Sequence, residues 1–200
     1  MRVLVACEES QAVTKAFRDA GHEAYSCDVQ PCSGGRPDWH VQTDVRIQLH
    51  KRWDLMIAHP PCTYLCNSGV RWLYENSTRW DDLDLGAEFF RLLLNSGIPK
   101  IAVENPIPHK YAVKRIGAKY DQLIQPWMFG HKETKATCLW LKGLPFLEPT
   151  TNLKEETKAL PNKESQRIHR ASPGPERSKL RSKTFSGIAQ AMAQQWGKLQ

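Results

Sequence analysis

A cysteine stands directly after two prolines, at the end of an apolar run over residues 53–58. The order His59, Pro60, Pro61, Cys62 is typical of a buried strand that ends in a stiff loop. Proline fixes φ and has no N–H donor, which limits the movement of the thiol. A thiol held near helix N-termini or cations can ionise and act as a nucleophile. A buried, unreactive cysteine is the alternative interpretation.

A carboxylate and an amide follow a second apolar run, where Glu104, Asn105 and Pro106 come after residues 101–103. A carboxyl group partly removed from water holds its proton more tightly than a solvated one. We therefore expect Glu104 to keep a proton near neutral pH and to donate it to a ring nitrogen. A surface acid or a helix cap is the alternative.

The elements that must position these residues alternate between strand and helix. Runs with strand character and segments with helical spacing predict an α/β fold with a mostly parallel sheet flanked by helices. In the helix predicted over residues 83–95, the buried face is expected to hold Leu85, Phe89, Leu92 and Leu93. The predicted strands are 2–7, 23–27, 53–58, 100–104 and 137–141, and the predicted helices are 10–20, 83–95 and 185–196.

Open parallel sheets bind ligands beyond the carboxyl ends of their strands. The polar residues that could do chemistry fall at those ends, and 200 residues suit one domain. We therefore predict one active site in a single domain spanning 1–200.

The order of these motifs resembles the DNA cytosine-C5 methyltransferase family. Pro60, Pro61 and Cys62 resemble its nucleophile loop, and the segment beginning Glu104, Asn105 is similar to its Glu-Asn-Val motif. The resemblance implies a Rossmann-like methyltransferase fold that uses S-adenosylmethionine. It also implies that Cys62 attacks C6 of a flipped cytosine, that Glu104 protonates N3, and that Asn105 orients the loop.

The same resemblance extends, more loosely, over nearly the whole chain. It implies a first cofactor-binding unit at residues 3–22, an acidic residue for the ribose and another for the adenine, and substrate contacts in later segments. The implied cofactor-binding residues are Cys7, Glu8, Ser10, Asp28, Asp44 and Pro60, and the implied substrate-binding residues are Pro61, Thr63, Lys135, Arg181 and Lys183.

The chain also departs from the family pattern. Residues 7–10 contain no glycine, although the family's first loop is glycine-rich, so a non-catalytic module that binds a nucleotide, cofactor or protein stays open. An amino-methyltransferase is a second alternative, because His59 to Cys62 also resembles the Asp/Asn-Pro-Pro-Tyr/Phe loop. A metal site built from Cys27, Cys32, Cys62, Cys66 and His59 is a weaker alternative, and we expect no metal.

Charge indicates the partner. The net charge is +7 and the pI is near 9.2, and residues 163–183 contain seven Lys or Arg against two Glu. Such a balance favours polyanions, so DNA or a nucleotide is the expected partner. Residues 148–183 are predicted to be a basic loop, too short for the family's target-recognition domain. Target recognition would then come from a protein partner, or the substrate would be single-stranded or a free nucleotide.

The sequence also predicts where the protein is found in the cell. No apolar run is long enough to span a membrane and no signal peptide is expected, so we predict a cytoplasmic protein with reduced thiols. Trp72 and Trp80 lie in a polar stretch after Cys62 and are candidates for stacking on a base, with core packing as the alternative.

Overall fold

The computed structural model of the chain describes residues 1–172 and 174–199. Within these residues one seven-stranded sheet has the order β3-β2-β1-β4-β5-β7-β6. All neighbours pair in parallel except β7, which is antiparallel to both β5 and β6. The strands are β1 (Arg2–Ala6), β2 (Glu23–Asp28), β3 (His40–Gln42), β4 (Leu55–Ala58), β5 (Lys100–Pro106), β6 (Gln122–Ile124) and β7 (Thr137–Lys142). The predicted α/β fold with a mostly parallel sheet is confirmed.

Helices cover both faces of this sheet. None of the described helices is both long and apolar enough to cross a bilayer. The helices are α1 (Ala12–Asp19), α2 (Val45–Gln48), α3 (Trp72–Glu75), α4 (Arg79–Leu94), α5 (Lys110–Ile116), α6 (Lys154–Ala159), α7 (Asn162–Ser165), α8 (Pro175–Ser182) and α9 (Ser186–Trp196).

The central strands are apolar throughout because both of their faces are covered. Side chains alternate between faces along a strand. Val3 and Val5 of β1 therefore pack against the α1 and α9 side, in a core that includes Trp196. Leu4 and Ala6 belong to the opposite core, which includes residues of α4 and α5. The two cores hold the central strands rigidly, which fixes the position of the loops at their ends.

The predicted buried face of α4 is correct at Leu93 and wrong at Leu85 and Leu92. Leu83, Ala87, Phe90 and Leu93 are fully buried, whereas Leu85 is 65% exposed. Of the other predicted members, Leu92 is exposed and Phe89 is only partly buried. Two apolar stripes run along this helix, and contact with the sheet selects the one through residues 83, 87 and 90.

The prediction of a loop over residues 148–183 is also wrong, because α6, α7 and α8 lie there. Long-range contacts hold this segment. The buried Glu133 carboxylate accepts hydrogen bonds from Ile168 N–H at 3.0 Å and from Arg167 Nε at 3.2 Å. Thr134 N–H donates to the carbonyl of Ser165 at 2.7 Å. The segment is thereby fixed beside the turn that precedes β7.

Candidate active site

The candidate site lies where the strand order changes direction. The chain leaves β1 towards β2 and β3 and then returns to β4 on the other side of β1, so β1 and β4 flank a topological switch point. His59 N–H donates to the carbonyl of Ala6 at 2.9 Å, which joins the ends of these two strands. A cavity of about 640 Å³, here called the first cavity, opens beyond the carboxyl ends of β1, β2, β4 and β5.

Twelve of the fourteen predicted site residues line the first cavity, and two do not. Lys183 lines a separate, smaller pocket, and Asn105 is fully buried within β5. Those that line it are Cys7, Glu8, Ser10, Asp28, Asp44, Pro60, Pro61, Cys62, Thr63, Glu104, Lys135 and Arg181.

Cys62 begins a tight turn immediately after the two prolines. Its carbonyl accepts hydrogen bonds from the N–H groups of Leu65 and Cys66, both at 3.0 Å. The turn brings the Cys66 thiol to the Cys62 thiol, and the Cys66 sulfur also lies 3.1 Å from Ser68 Oγ. The sequence analysis considered Cys66 only as a metal ligand. The four-residue spacing was the available sign that the two thiols interact.

The two thiols share one proton. The hydrogen bond from Cys62 lowers the pKa of Cys66 to about 5, against the effect of burial, and Ser68 contributes to the same shift. That same hydrogen bond, followed by burial, raises the pKa of Cys62 well above its ordinary value. A thiolate therefore exists in this pair at neutral pH, and the Cys62 proton has an acceptor beside it.

The remaining cysteines with shifted titration are protonated at neutral pH. Burial raises the pKa of Cys7 strongly, with Asp28 adding to the effect. Burial also raises the pKa of Cys27 to about 11 and that of Cys138 to about 12. Among the cysteines with a shifted pKa, the lowered one is therefore that of Cys66, which lines the second cavity beside Cys62.

Glu104 lies across the site at the end of β5, with 16% of its side chain exposed. Its Oε2 lies 3.3 Å from Nδ1 of His59, whose side chain is 9% exposed. Burial raises the pKa of Glu104, but the His59 hydrogen bond and the charge of Lys135 outweigh it, and the pKa is lowered overall. The prediction that Glu104 keeps a proton near neutral pH is therefore wrong for the unliganded protein. Burial alone was considered, and the two partners are distant in sequence.

His59 was not predicted as a site residue of the preferred mechanism. Its Nε2 is buried and has no hydrogen-bond partner among the described residues, although the ring lines the first cavity. A buried ring nitrogen without a partner costs free energy, and such groups commonly face a ligand or an ordered water. His59 therefore presents Nδ1 to Glu104 and keeps Nε2 buried without a partner among the described residues.

Asn105 supports the loop without facing the cavity. Its Nδ2 donates to the carbonyl of Pro106 at 2.6 Å, and its Oδ1 is buried without a partner. β7 pairs with it through Cys138. This position is compatible with the predicted role of orienting the loop, and the amide is too far inside the sheet edge to line the cavity.

Lys135 connects the acid to the opposite wall. Its ammonium group lowers the pKa of Glu104 and donates a hydrogen bond of 2.7 Å to the carbonyl of Arg181, the penultimate residue of α8. Lys135 also precedes β7, which packs beside β5. The segment that was predicted to be loop thus contributes a wall of the site.

The first loop reaches its shape without glycine. Cys7 and Gln11 both have φ near 57°, a left-handed conformation that glycine adopts more easily. A glycine from another segment, Gly34, packs against this loop. A side chain would not fit there, because a Cβ on Gly34 would lie 2.6 Å from the Ser10 carbonyl oxygen. The Gln11 side chain fastens that second segment by bonding to both backbone groups of Arg36.

Glu8 caps the start of α1, a role that its position in the sequence did not predict. Its buried carboxylate accepts hydrogen bonds from Val13 N–H at 2.7 Å and from Thr14 N–H at 3.2 Å and Oγ1 at 2.7 Å. These are the free N–H groups at the start of α1. Both carboxylate oxygens are therefore engaged with α1, and the predicted cofactor contact of Glu8 would come from atoms other than these.

Two further acids line the same end of the first cavity. Asp28, at the end of β2, accepts a hydrogen bond from Gln30 N–H through Oδ1 at 2.9 Å. Asp44 caps α2 through Arg46 N–H at 2.9 Å and forms an ion pair with the Arg46 guanidinium at 3.3 Å. Together with Glu8 and Glu9 they make the β1 and β2 end of the cavity acidic.

The two tryptophans predicted as candidates for base stacking differ in their surroundings. Trp80 packs edge-on against Tyr74 and Tyr111, as expected for a structural tryptophan, whereas Trp72 is 42% exposed and lines a second cavity. In the part of the chain that the structure describes, no three His, Cys, Asp or Glu side chains are grouped to hold a metal ion.

Comparison with known proteins shows the fold. No family model matches the sequence, and no curated protein matches it. A protein described as a DNA modification methyltransferase encoded within an E. coli prophage has a TM-score of 0.50 and 15% identity, over 81% of this chain and 56% of its own. The Entamoeba histolytica methyltransferase EhMeth has a TM-score of 0.50 and 13% identity, over 76% of this chain and 57% of its own.

The chain therefore spans little more than half the length of these two structures. It has a methyltransferase-like fold, which confirms the fold expected from the sequence resemblance. The part of each structure that this chain does not cover is over two fifths of its length.

Proposed function

We propose that this chain transfers a methyl group from S-adenosylmethionine to C5 of cytosine in DNA, through a transient bond between Cys62 and the base. One observation carries the proposal: Cys62 and Glu104 line one cavity at the switch point of a methyltransferase-like fold. Cys62 lies in the loop after β4, and Glu104 lies near the end of β5, the neighbouring parallel strand. The chain acts in this proposal as one domain.

The residues at the acidic end of the first cavity fit the cofactor. S-adenosylmethionine is cationic at its sulfonium and ammonium groups, and Asp28 and Asp44 offer carboxylates for cationic groups or ribose hydroxyls. The left-handed backbone at Cys7 gives the first loop the turn that a glycine would give. The volume of about 640 Å³ lies within the range of cofactor sites. When bound, the cofactor supplies an electrophilic methyl carbon.

Cys62 begins the reaction on the base. Its sulfur bonds to C6 as its proton passes to the neighbouring Cys66 thiolate, and the electron pair of the C5–C6 bond moves towards C5 and the ring. Once C5 carries the methyl group, its proton passes to water, the C5–C6 double bond forms again and the Cys62 sulfur leaves. The sulfur then regains its proton from Cys66, and N3 returns its proton to Glu104. Both prolines keep this sulfur in place throughout.

Glu104 and His59 act together on N3 of the ring. Because Glu104 is ionised before binding, its proton must come from a neighbour, and Nδ1 of His59 lies 3.3 Å away. A doubly protonated His59 can pass the Nδ1 proton to Glu104, which gives it to N3. The histidine then stays neutral with its proton on Nε2. Lys135 stabilises the carboxylate before and after this transfer.

DNA is the proposed partner, and a second protein would supply target recognition. Beyond the strands and helices of the fold, the described chain has no separate domain that could read a sequence. The basic residues of α8 and its neighbours suit the phosphate backbone. A short or single-stranded substrate would need less recognition.

The test is the nucleoside composition of DNA from cells that express the chain. The wild type and Cys32→Ala should produce 5-methylcytosine, whereas Cys62→Ala should produce none. Cys32 is the matched control because it is partly exposed and lies outside the first cavity. A 5-fluorocytosine oligonucleotide should form an adduct at Cys62 with purified protein. Equal 5-methylcytosine in the wild type and Cys62→Ala would refute the proposal.

A non-catalytic binding module is the second candidate, favoured by the Glu8 carboxylate that fills the start of α1. Calorimetry with S-adenosylmethionine and with nucleotides separates it from the enzyme. Tight binding without tritium transfer to any nucleic acid would support the module. Retained methyl transfer by Cys62→Ser would instead favour amino-methyltransferase chemistry at the same loop.

A further inference from the structure

A second cavity of about 1260 Å³ adjoins the first, and the two differ in charge. Cys62, Thr63, Lys135 and Arg181 line both, so they form the passage between them. The first cavity is lined by five carboxylates, whereas no aspartate or glutamate lines the second among the residues that the structure describes. The charged side chains that line the second cavity are all basic, namely Arg79, Lys135, Arg177 and Arg181, and they suit a negatively charged ligand.

Two arginines that line the second cavity each have an N–H group without an acceptor among the described atoms. Arg79 is the first residue of α4, and Arg177 lies in the first turn of α8. The Nε–H of each is buried and has no partner among the described atoms. Neither guanidinium group forms an ion pair in the described part of the chain. A buried guanidinium N–H without an acceptor is costly, and planar guanidinium groups match the oxygens of a phosphate.

Arg79 has a side-chain contact that fixes its position, and Arg177 lies on a helix that is held in place. The guanidinium of Arg79 stacks on the ring of Tyr64 at 4.7 Å, two residues after Cys62. Arg177 belongs to the same helix as Arg181, whose carbonyl is held by Lys135. These contacts hold charge towards the cavity from the α4 side and from the α8 side, with Cys62 at the passage between.

An aromatic platform completes the second cavity. Trp72 is 42% exposed, lines the cavity, and has the Arg71 guanidinium 4.3 Å from its ring centroid. An exposed indole supported by an arginine is a common stacking surface for a nucleobase. A ligand with both a phosphate and a base would therefore use the cations and the indole together.

We propose that the second cavity binds a phosphate group of the nucleotide substrate between Arg79 and Arg177. This identification of the ligand as a nucleotide rests on the function proposed above, whereas the anion site itself rests on the Nε–H groups of Arg79 and Arg177, which have no acceptor among the described atoms, and on the basic lining of the cavity. The phosphate is the 5′-phosphate of a mononucleotide or one backbone phosphate of a single strand. Cys62 also lines this cavity, at the passage into the first.

Calorimetry tests the site without requiring turnover. The probes are deoxycytidine, deoxycytidine 5′-monophosphate and a ten-residue single-stranded oligodeoxycytidine, each added to the full chain. The wild type should bind at least one phosphorylated probe about ten-fold or more tightly than deoxycytidine, as expected for charge-assisted hydrogen bonds. A gain with the mononucleotide identifies a terminal phosphate, and a gain with the strand alone identifies a backbone phosphate.

The variants separate this site from general charge. Arg79→Gln and Arg177→Gln should each remove most of the preference for the phosphorylated probe, and Arg79→Lys should keep part of it. Arg52→Gln is the matched control, because Arg52 is exposed and lies outside both cavities. Melting curves check that each variant folds.

The outcomes distinguish the two proposals. Equal affinity of the wild type for deoxycytidine and both phosphorylated probes would overturn the phosphate site, whether or not any variant folds. An unchanged preference in both glutamine variants would overturn the assignment to Arg79 and Arg177. A phosphate preference that depends on both arginines, in a protein that transfers no methyl group, would refute the proposed reaction and leave the phosphate site standing.

Discussion

Because Cys62 and Cys66 share one proton, we predict that the Cys66 thiol reacts at a pH far below that at which an ordinary cysteine ionises. The pKa of Cys66 is lowered from 9.0 to about 5, mainly by the hydrogen bond from Cys62. At pH 6 such a thiol is about 90% thiolate, whereas a thiol that titrates at its ordinary value is about 0.1% thiolate. Replacing Cys62 by alanine removes the donor, and we expect the pKa of Cys66 to return towards 9.0.

The expected change in reactivity is smaller than the change in ionisation. A thiolate of low pKa is intrinsically less nucleophilic, with a Brønsted slope of about 0.4–0.5. In the variant the amount of thiolate falls roughly 900-fold, but each thiolate becomes roughly 60-fold more nucleophilic. Alkylation of Cys66 by iodoacetamide at pH 6 should therefore slow about ten-fold in Cys62→Ala.

Peptide mass spectrometry after timed alkylation measures this rate at each cysteine separately. In the wild type the rate at Cys66 should rise with pH through a midpoint near 5. Cys32→Ala is the control and should leave the rate unchanged, because Cys32 lies outside the first cavity. A Cys66 rate that is the same in the wild type and in Cys62→Ala would refute the shared proton.

Three further substitutions test the stability of the site. The lowered pKa of Glu104 stabilises the folded state above 4.5, its ordinary value, and this is lost as pH falls through the lower folded value; urea unfolding should show Glu104→Gln losing more stability at pH 7 than at pH 3, and an equal loss would contradict the shift. Glu8→Ala should cost about 1–3 kcal/mol in the same assay because the start of α1 loses its acceptor, with a smaller loss for Glu8→Gln, and a change under about 0.5 kcal/mol would contradict the cap. Gly34→Ala should lower the melting temperature because its Cβ would lie 2.5 Å from Gln11 Cβ, whereas Gly97→Ala, with open space, should not, and equal melting curves would contradict the close approach.

The sheet could be predicted because its signals are local. Each buried parallel strand appears in the sequence as an apolar run, and the polar residue after it must lie at the ligand-binding edge. The sequence pattern predicts Cys62 and Glu104 at this edge, and the structure brings both to one cavity.

The remaining errors come from interactions between residues distant in sequence. The buried face of α4 was wrong because two apolar stripes compete, and the sheet alone selects Leu83 over Leu85. The helices of residues 148–183 were missed because they are short and are held by contacts with Glu133 and Thr134. The lowered pKa of Glu104 depends on Lys135, thirty-one positions later, which no local pattern reveals.

Lys135 links two events that would otherwise be independent. Its ammonium group faces the Glu104 carboxylate and simultaneously holds the last turn of α8 through the Arg181 carbonyl. A ligand that moves α8 away from Lys135 breaks the hydrogen bond to the Arg181 carbonyl, so the ammonium group attracts the Glu104 carboxylate more strongly. Protonation of Glu104 removes that attraction, and the ammonium group then binds the Arg181 carbonyl more tightly. One side chain thus connects the charge of Glu104 with the position of the last turn of α8.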